Sequence, residues 1–152
     1  MEFKEENFAL YQLLDKLNQP GVDAMRRDFI AARDGDDDDK YQFALGIYGM
    51  ATAPGIERFI PLTPAIKQAT LEQSYAIFED VGSRNHPTGA LMVAFCKSNA
   101  SGTAEDKAGA KAWLDKAEAL GGKSEFSEAL RQQITTVTLA ATRAPKTPGQ
   151  SS

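Results

Sequence analysis

Few side chains in this chain are capable of chemistry, and their spacing limits what they can do. His86 is the sole histidine and Cys96 the sole cysteine, so they are the only base and thiol nucleophile of their kinds. Ten residues separate them, and no serine, cysteine or carboxylate stands at motif spacing from His86, which sits beside Pro87 in a turn. That arrangement suits a capping or solvent-facing histidine and does not make a catalytic pair. Cys96 lies among Val93, Ala94 and Phe95 and reads as a small core hydrophobe with no disulfide partner.

The densest set of oxygen ligands is Asp34-Gly35-Asp36-Asp37-Asp38-Asp39-Lys40. A calcium-binding EF-hand counted from Asp34 requires glycine at its sixth position and glutamate at its twelfth, where this chain has Asp39 and Leu45. The run reads instead as the acidic start of a helix, where carboxylates accept from unpaired amides. Its last five residues also spell the enteropeptidase recognition sequence. The chain has no glycine-rich phosphate loop, no paired-cysteine metal spacing and no basic, aromatic stripe of the kind that follows nucleic acid. No catalytic residue, metal or cofactor is expected.

The elements that must position these groups are helices. Leu10, Leu13, Leu14 and Leu17 form one stripe over residues 5–18, ended by Asn18-Gln19-Pro20-Gly21. Val22, Met25 and Phe29 form a second over 22–34, with Asp23 and Arg33 placed as the helix dipole favours. A third helix opens in residues 36–39 and carries Tyr41, Ala44, Leu45 and Tyr48. Thr63-Pro64 opens a fourth, running to about Val81, and Pro87 a fifth, running to about Lys97. Thr103-x-x-Asp106 has the form of a capping box for a sixth. A seventh covers 124–141, because Leu130, Ile134 and Val137 keep the helical period through its β-branched stretch. Residues 143–152 carry two prolines, a glycine and no large apolar group, so a frayed tail is expected after a single domain over 1–142.

These helices repeat. In residues 106–130, Ala110, Trp113, Leu114 and Ala117 share one face, Gly121-Gly122 stops the helix, and Phe126, Ala129 and Leu130 begin another. A shift of 39 positions lays Glu79, Val81, Gly82, Ala90 and Leu91 on Glu118, Leu120, Gly121, Ala129 and Leu130. Further back, Gly35 is followed by Ala44-Leu45-Gly46. A period near 40 is that of a helical repeat protein.

The stretches AKAWLDKAEALGG and YQFALGIYG resemble the second-helix and first-helix halves of the Sel1-like repeats, α-solenoid relatives of the tetratricopeptide repeats. The resemblance spans roughly residues 22–141, with Met92 where Gly46 stands, Ser74 where Trp113 stands and a long first interhelix loop. It implies an all-α fold: a short right-handed α-solenoid of antiparallel helix pairs, about seven helices in all. It also implies a noncatalytic, protein-binding role as an adaptor, in secretion or in host interaction. One subgroup comprises bacterial immunity proteins that neutralise type VI secretion phospholipase effectors, which suits a small acidic chain with few repeats. A scaffolding subunit of a bacterial complex and a small-molecule-binding helical domain are the alternatives.

Net charge is −4, from 17 basic and 21 acidic residues, which favours a basic or neutral protein partner over nucleic acid or anionic lipid. No apolar run reaches the roughly 18 residues that membrane crossing needs. The N-terminus lacks the succession of a secretory leader. The sequence therefore reads as cytoplasmic, or periplasmic if a leader has been removed, and Glu2-Phe3 is also what an in-frame cloning site would encode.

Partner contact is expected in two places. The connection from Gly49 to Thr63 carries Ile56, Arg58, Phe59, Ile60 and Leu62, which either grip a partner or tuck back over the flanking helices. The concave side of a helix stack places Tyr41, Gln42 and Tyr48 in a groove, Tyr41 and Tyr48 being equally suited to the core, with Asp36, Asp37 and Asp38 at the neighbouring rim to draw basic groups.

Overall fold

The computed structural model describes residues 3–17 and 22–143. Among them stand seven α-helices and no strand: α1 (Ala9–Leu17), α2 (Val22–Asp34), α3 (Asp37–Thr52), α4 (Pro64–Ser83), α5 (Pro87–Asn99), α6 (Lys107–Gly121) and α7 (Glu125–Arg143). The expected terminator at 18–21 and nearly all of the expected tail lie outside the described residues. Helix starts follow local chemistry. Thr63 accepts from the Ile66 amide ahead of Pro64, and His86 accepts from the Gly89 amide ahead of Pro87. Asp36 and Asp39 make a reciprocal capping box, and Ser124 and Ser127 exchange the same two bonds at α7.

Three expected boundaries move. The run over 5–18 divides into a short turn at Glu5–Asn7 and α1, because Phe8 between them turns fully into the core against Phe3, Phe29 and Phe43. The cap of α6 is Asp106, which accepts from the Gly109 amide, and Thr103 lies outside the helix. The third helix runs on past Gly49 to Thr52, since burial of Ile47 and Ala51 outweighs the roughly 1 kcal/mol that an interior glycine costs.

Consecutive helices pack side by side from α1 to α7, with the closest associations between α3 and α4, α4 and α5, and α5 and α6. The result is an all-α, solenoid-like stack. Its N-terminal end departs from a purely linear one, because α1 also lies on α4, where the Ala9 amide donates to Gln73 Oε1 at 3.3 Å. Phe3, Phe8, Tyr11, Phe29 and Phe43 fill the space this closure creates, with ring centroids 5.1 to 6.2 Å apart. A second apolar cluster joins Ala94, Ala110, Leu114, Leu130 and Ile134, and Trp113 packs against both clusters, so one spine runs through the stack. Gly82 permits the close approach behind this junction: a Cβ there would stand 3.0 Å from the Ala90 nitrogen and 3.1 Å from the Trp113 ring.

Candidate functional site

Three of the four aspartates that open α3 are tied to groups within the chain. The Asp36 and Asp39 carboxylates are used in the capping box, at 3.0 and 3.1 Å. Asp37 receives Arg84 through Nη2 at 2.7 Å and Nε at 3.0 Å, while the same guanidinium holds Asp80 at 2.7 and 2.8 Å. The bond to Arg84 holds the Asp37 carboxyl below the usual aspartate range, and the two carboxylates raise the Arg84 guanidinium in turn. Bonds from the Asp39 and Asp38 amides likewise lower Asp36, whose capping contribution is present above the ordinary aspartate range and is lost as acid protonates it.

Asp38 completes the set. Its Oδ1 lies 3.2 Å from His86 Nε2, and His86 Nδ1 accepts the Gly89 amide at 2.9 Å. Both bonds are satisfied by one tautomer, with the proton on Nε2. The imidazole face stacks on Tyr41 at 4.8 Å. The acidic run is thus a clasp between the start of α3 and the link from α4 to α5, although Asp38 remains 65% exposed at its side chain and open to a second ligand.

This geometry also bears on the enteropeptidase sequence. Lys40 lies in the first turns of α3 with Nζ on the Gly35 carbonyl at 2.9 Å, and Tyr41, on the other side of the scissile bond, is buried. Proteases require locally extended chain. Native protein incubated with enteropeptidase is expected to stay intact on a gel over a time that fully cuts an unstructured peptide bearing the same five residues. Equal cleavage rates would mean that α3 does not begin where it is placed.

Cys96 is fully buried, and burial pushes its thiol up to about 12, far from a reactive thiolate. His86 caps α5 and Cys96 lies about 15 Å further along the same helix axis, so the two are not brought together. Among the described residues, no group of three or more histidine, cysteine, aspartate or glutamate side chains is arranged to hold a metal ion.

The remaining expected contacts divide residue by residue. Tyr41 is buried, and Tyr48 is half-buried with its hydroxyl 2.9 Å from Ser101 Oγ; both rings pack on Phe78. They turn inward and serve the core, whereas Gln42 faces outward. In the α3–α4 connection Ile60 and Leu62 are buried in the main core, and Ile56 packs at its edge. Phe59 does the opposite. It is 78% exposed, beside exposed Arg58, on a turn that begins with Gly55 at φ 76°. A ring held out by a loop whose neighbours on both sides are anchored gives an aromatic and an arginine at little ordering cost, the combination that dominates protein interfaces.

Gln42, expected in a groove, lines a trough between α2 and α3 whose other walls, Asp28, Asp39 and Gly46, sequence reasoning did not assign to one. Its signal was present as the outward spacing Asp39, Gln42, Gly46 and Met50, offset from the tyrosine stripe on the same helix. No family model, curated protein or solved structure matches the chain.

Proposed function

We propose that this chain is a noncatalytic protein-binding module, and the observation that carries the reading is Phe59, displayed with Arg58 on an anchored loop. Burying that ring in a partner pocket contributes on the order of 3 kcal/mol from apolar area alone. The net charge of −4 and the exposed carboxylate of Asp38 favour a partner with a basic or neutral contact surface. The finer reading rests on the resemblance to Sel1-like repeats: an immunity protein that neutralises a secreted antibacterial effector of the phospholipase type by direct binding. An adaptor or scaffolding subunit is the second reading, supported by the same loop.

The test is co-expression with a phospholipase effector encoded beside this chain, followed by titration of the purified pair. Binding that suppresses lipase activity supports the immunity reading, and tight binding to another protein without loss of a lipase activity supports the scaffold. In either case Phe59→Ala is expected to weaken binding by about thirtyfold, a loss of about 2 kcal/mol, with an unchanged thermal midpoint. Wild-type affinity in that variant would remove the loop from the interface.

A further inference from the structure

The trough between α2 and α3 has a composition that selects its occupant. Two adjoining depressions of about 290 Å³ each share Asp28 and Phe43. One continues to Asp39 and Gln42, and the other to Gly46 and Met50. From Asp39 to Met50 the trough follows twelve residues of α3, about 16 Å or three helical turns.

Gly46 leaves the α3 side of one depression bare: no described residue stands within 4 Å of the place a Cβ would take. Glycine inside a helix costs stability, and no described residue fills the space beside this one. Among the described residues, the two ionisable groups lining the trough are both carboxylates, and no lysine or arginine lines it. Asp28 makes no ion pair among the described residues, and Asp39 spends one oxygen on the Asp36 amide. The nearby ammonium of Lys40 is held away on the Gly35 carbonyl and over the Phe3 ring.

We infer that this trough seats a basic amphipathic helix of a partner protein. The bare backbone at Gly46 lets a helix approach α3 closely, apolar side chains of the incoming helix meet Met50 and the exposed alanines Ala24 and Ala31, and lysines or arginines along its flank reach Asp28 and Asp39. The inference rests on the protein-binding reading but uses residues other than Phe59 and Arg58, so the two can fail separately.

The probe is a fluorescein-labelled amphipathic peptide of about 15 residues with a leucine face flanked by lysines, compared with a twin in which every lysine is glutamate. Anisotropy titration of the full chain should show saturable micromolar binding of the lysine peptide and at least about tenfold weaker binding of the glutamate twin. Gly46→Leu should weaken the lysine peptide by about tenfold or more while leaving the thermal midpoint at or above that of the wild type, and Asp28→Lys should do likewise through charge. Phe59→Ala should leave peptide binding intact. Equal binding of the two peptides, no binding, or wild-type affinity in Gly46→Leu overturns the inference and leaves the Phe59 reading standing. Self-association of the chain in sedimentation that Gly46→Leu abolishes would also overturn it, by giving the trough to a second copy.

Discussion

Phe78→Ala should remove about 3–5 kcal/mol of unfolding free energy, the largest effect expected of a single side chain here. Phe78 is fully buried on α4, the helix on which α1, α3 and α5 all pack, and its ring meets Tyr41 at 5.8 Å and Tyr48 at 6.1 Å. Truncation therefore loses the transfer energy of the ring and leaves a cavity that three surrounding helices cannot close without shifting. Against a typical total of about 5–15 kcal/mol, that is roughly a fifth to all of the stability of a domain this size. Urea titration followed by helical circular dichroism measures it. The variant should show a midpoint lowered by more than 1 M at a urea dependence of about 1–3 kcal/mol per molar, with an unchanged slope. Ile30→Ala, at a side chain 43% exposed on α2, is the control and should move the midpoint little. A Phe78→Ala loss below about 1 kcal/mol would show that α4 is not the centre of the packing.

The second large effect comes from a backbone position. Gly102→Val should cost at least about 2 kcal/mol, from two separable causes. Gly102 has φ 72°, a conformation that a β-branched residue adopts only with strain. A Cβ there would also stand 2.2 Å from the Leu71 carbonyl oxygen and 2.5 Å from its carbon, so the α5–α6 connection would have to lift off α4. The neighbouring hydroxyl contact between Ser101 and Tyr48 would go with it. A thermal midpoint lowered by roughly 5 °C or more is expected for a chain of this length. Ser101→Ala isolates the hydroxyl contact and should cost only about 1 kcal/mol. If the two variants proved equally mild, the close packing of this connection on α4 would be wrong.

The shared reason for both effects is that α3, α4 and α5 are inner helices with neighbours on more than one side. This also explains where sequence reasoning stopped short. In α3, Tyr41, Ala44 and Tyr48 make one apolar stripe and Phe43 and Ile47 another, because the helix meets α4 on one side and α2 on the other. Helical period alone does not tell a stripe that meets a neighbour from one that faces a partner, so Tyr41 and Tyr48 were equally suited to groove and core. Residues 36–39 posed the same difficulty in charged form. Their local role, capping, is made by groups three positions apart, but their second role depends on Arg84 and His86, 47 and 48 residues away.

What the amino-acid order determined by itself was the helical class, the placement of most helix starts and the breaks between helices, since caps, prolines and the 3.6-residue period act over a few neighbouring positions. What only the tertiary structure decided was which face of each helix is spent on packing. It placed Phe59 outside while Ile60 and Leu62 went in, locked Asp37 onto Arg84, folded α1 back onto α4, and opened a trough beside Gly46. Each of those outcomes depends on which distant helix arrives to remove a given surface from water, and that is a property of the assembled stack.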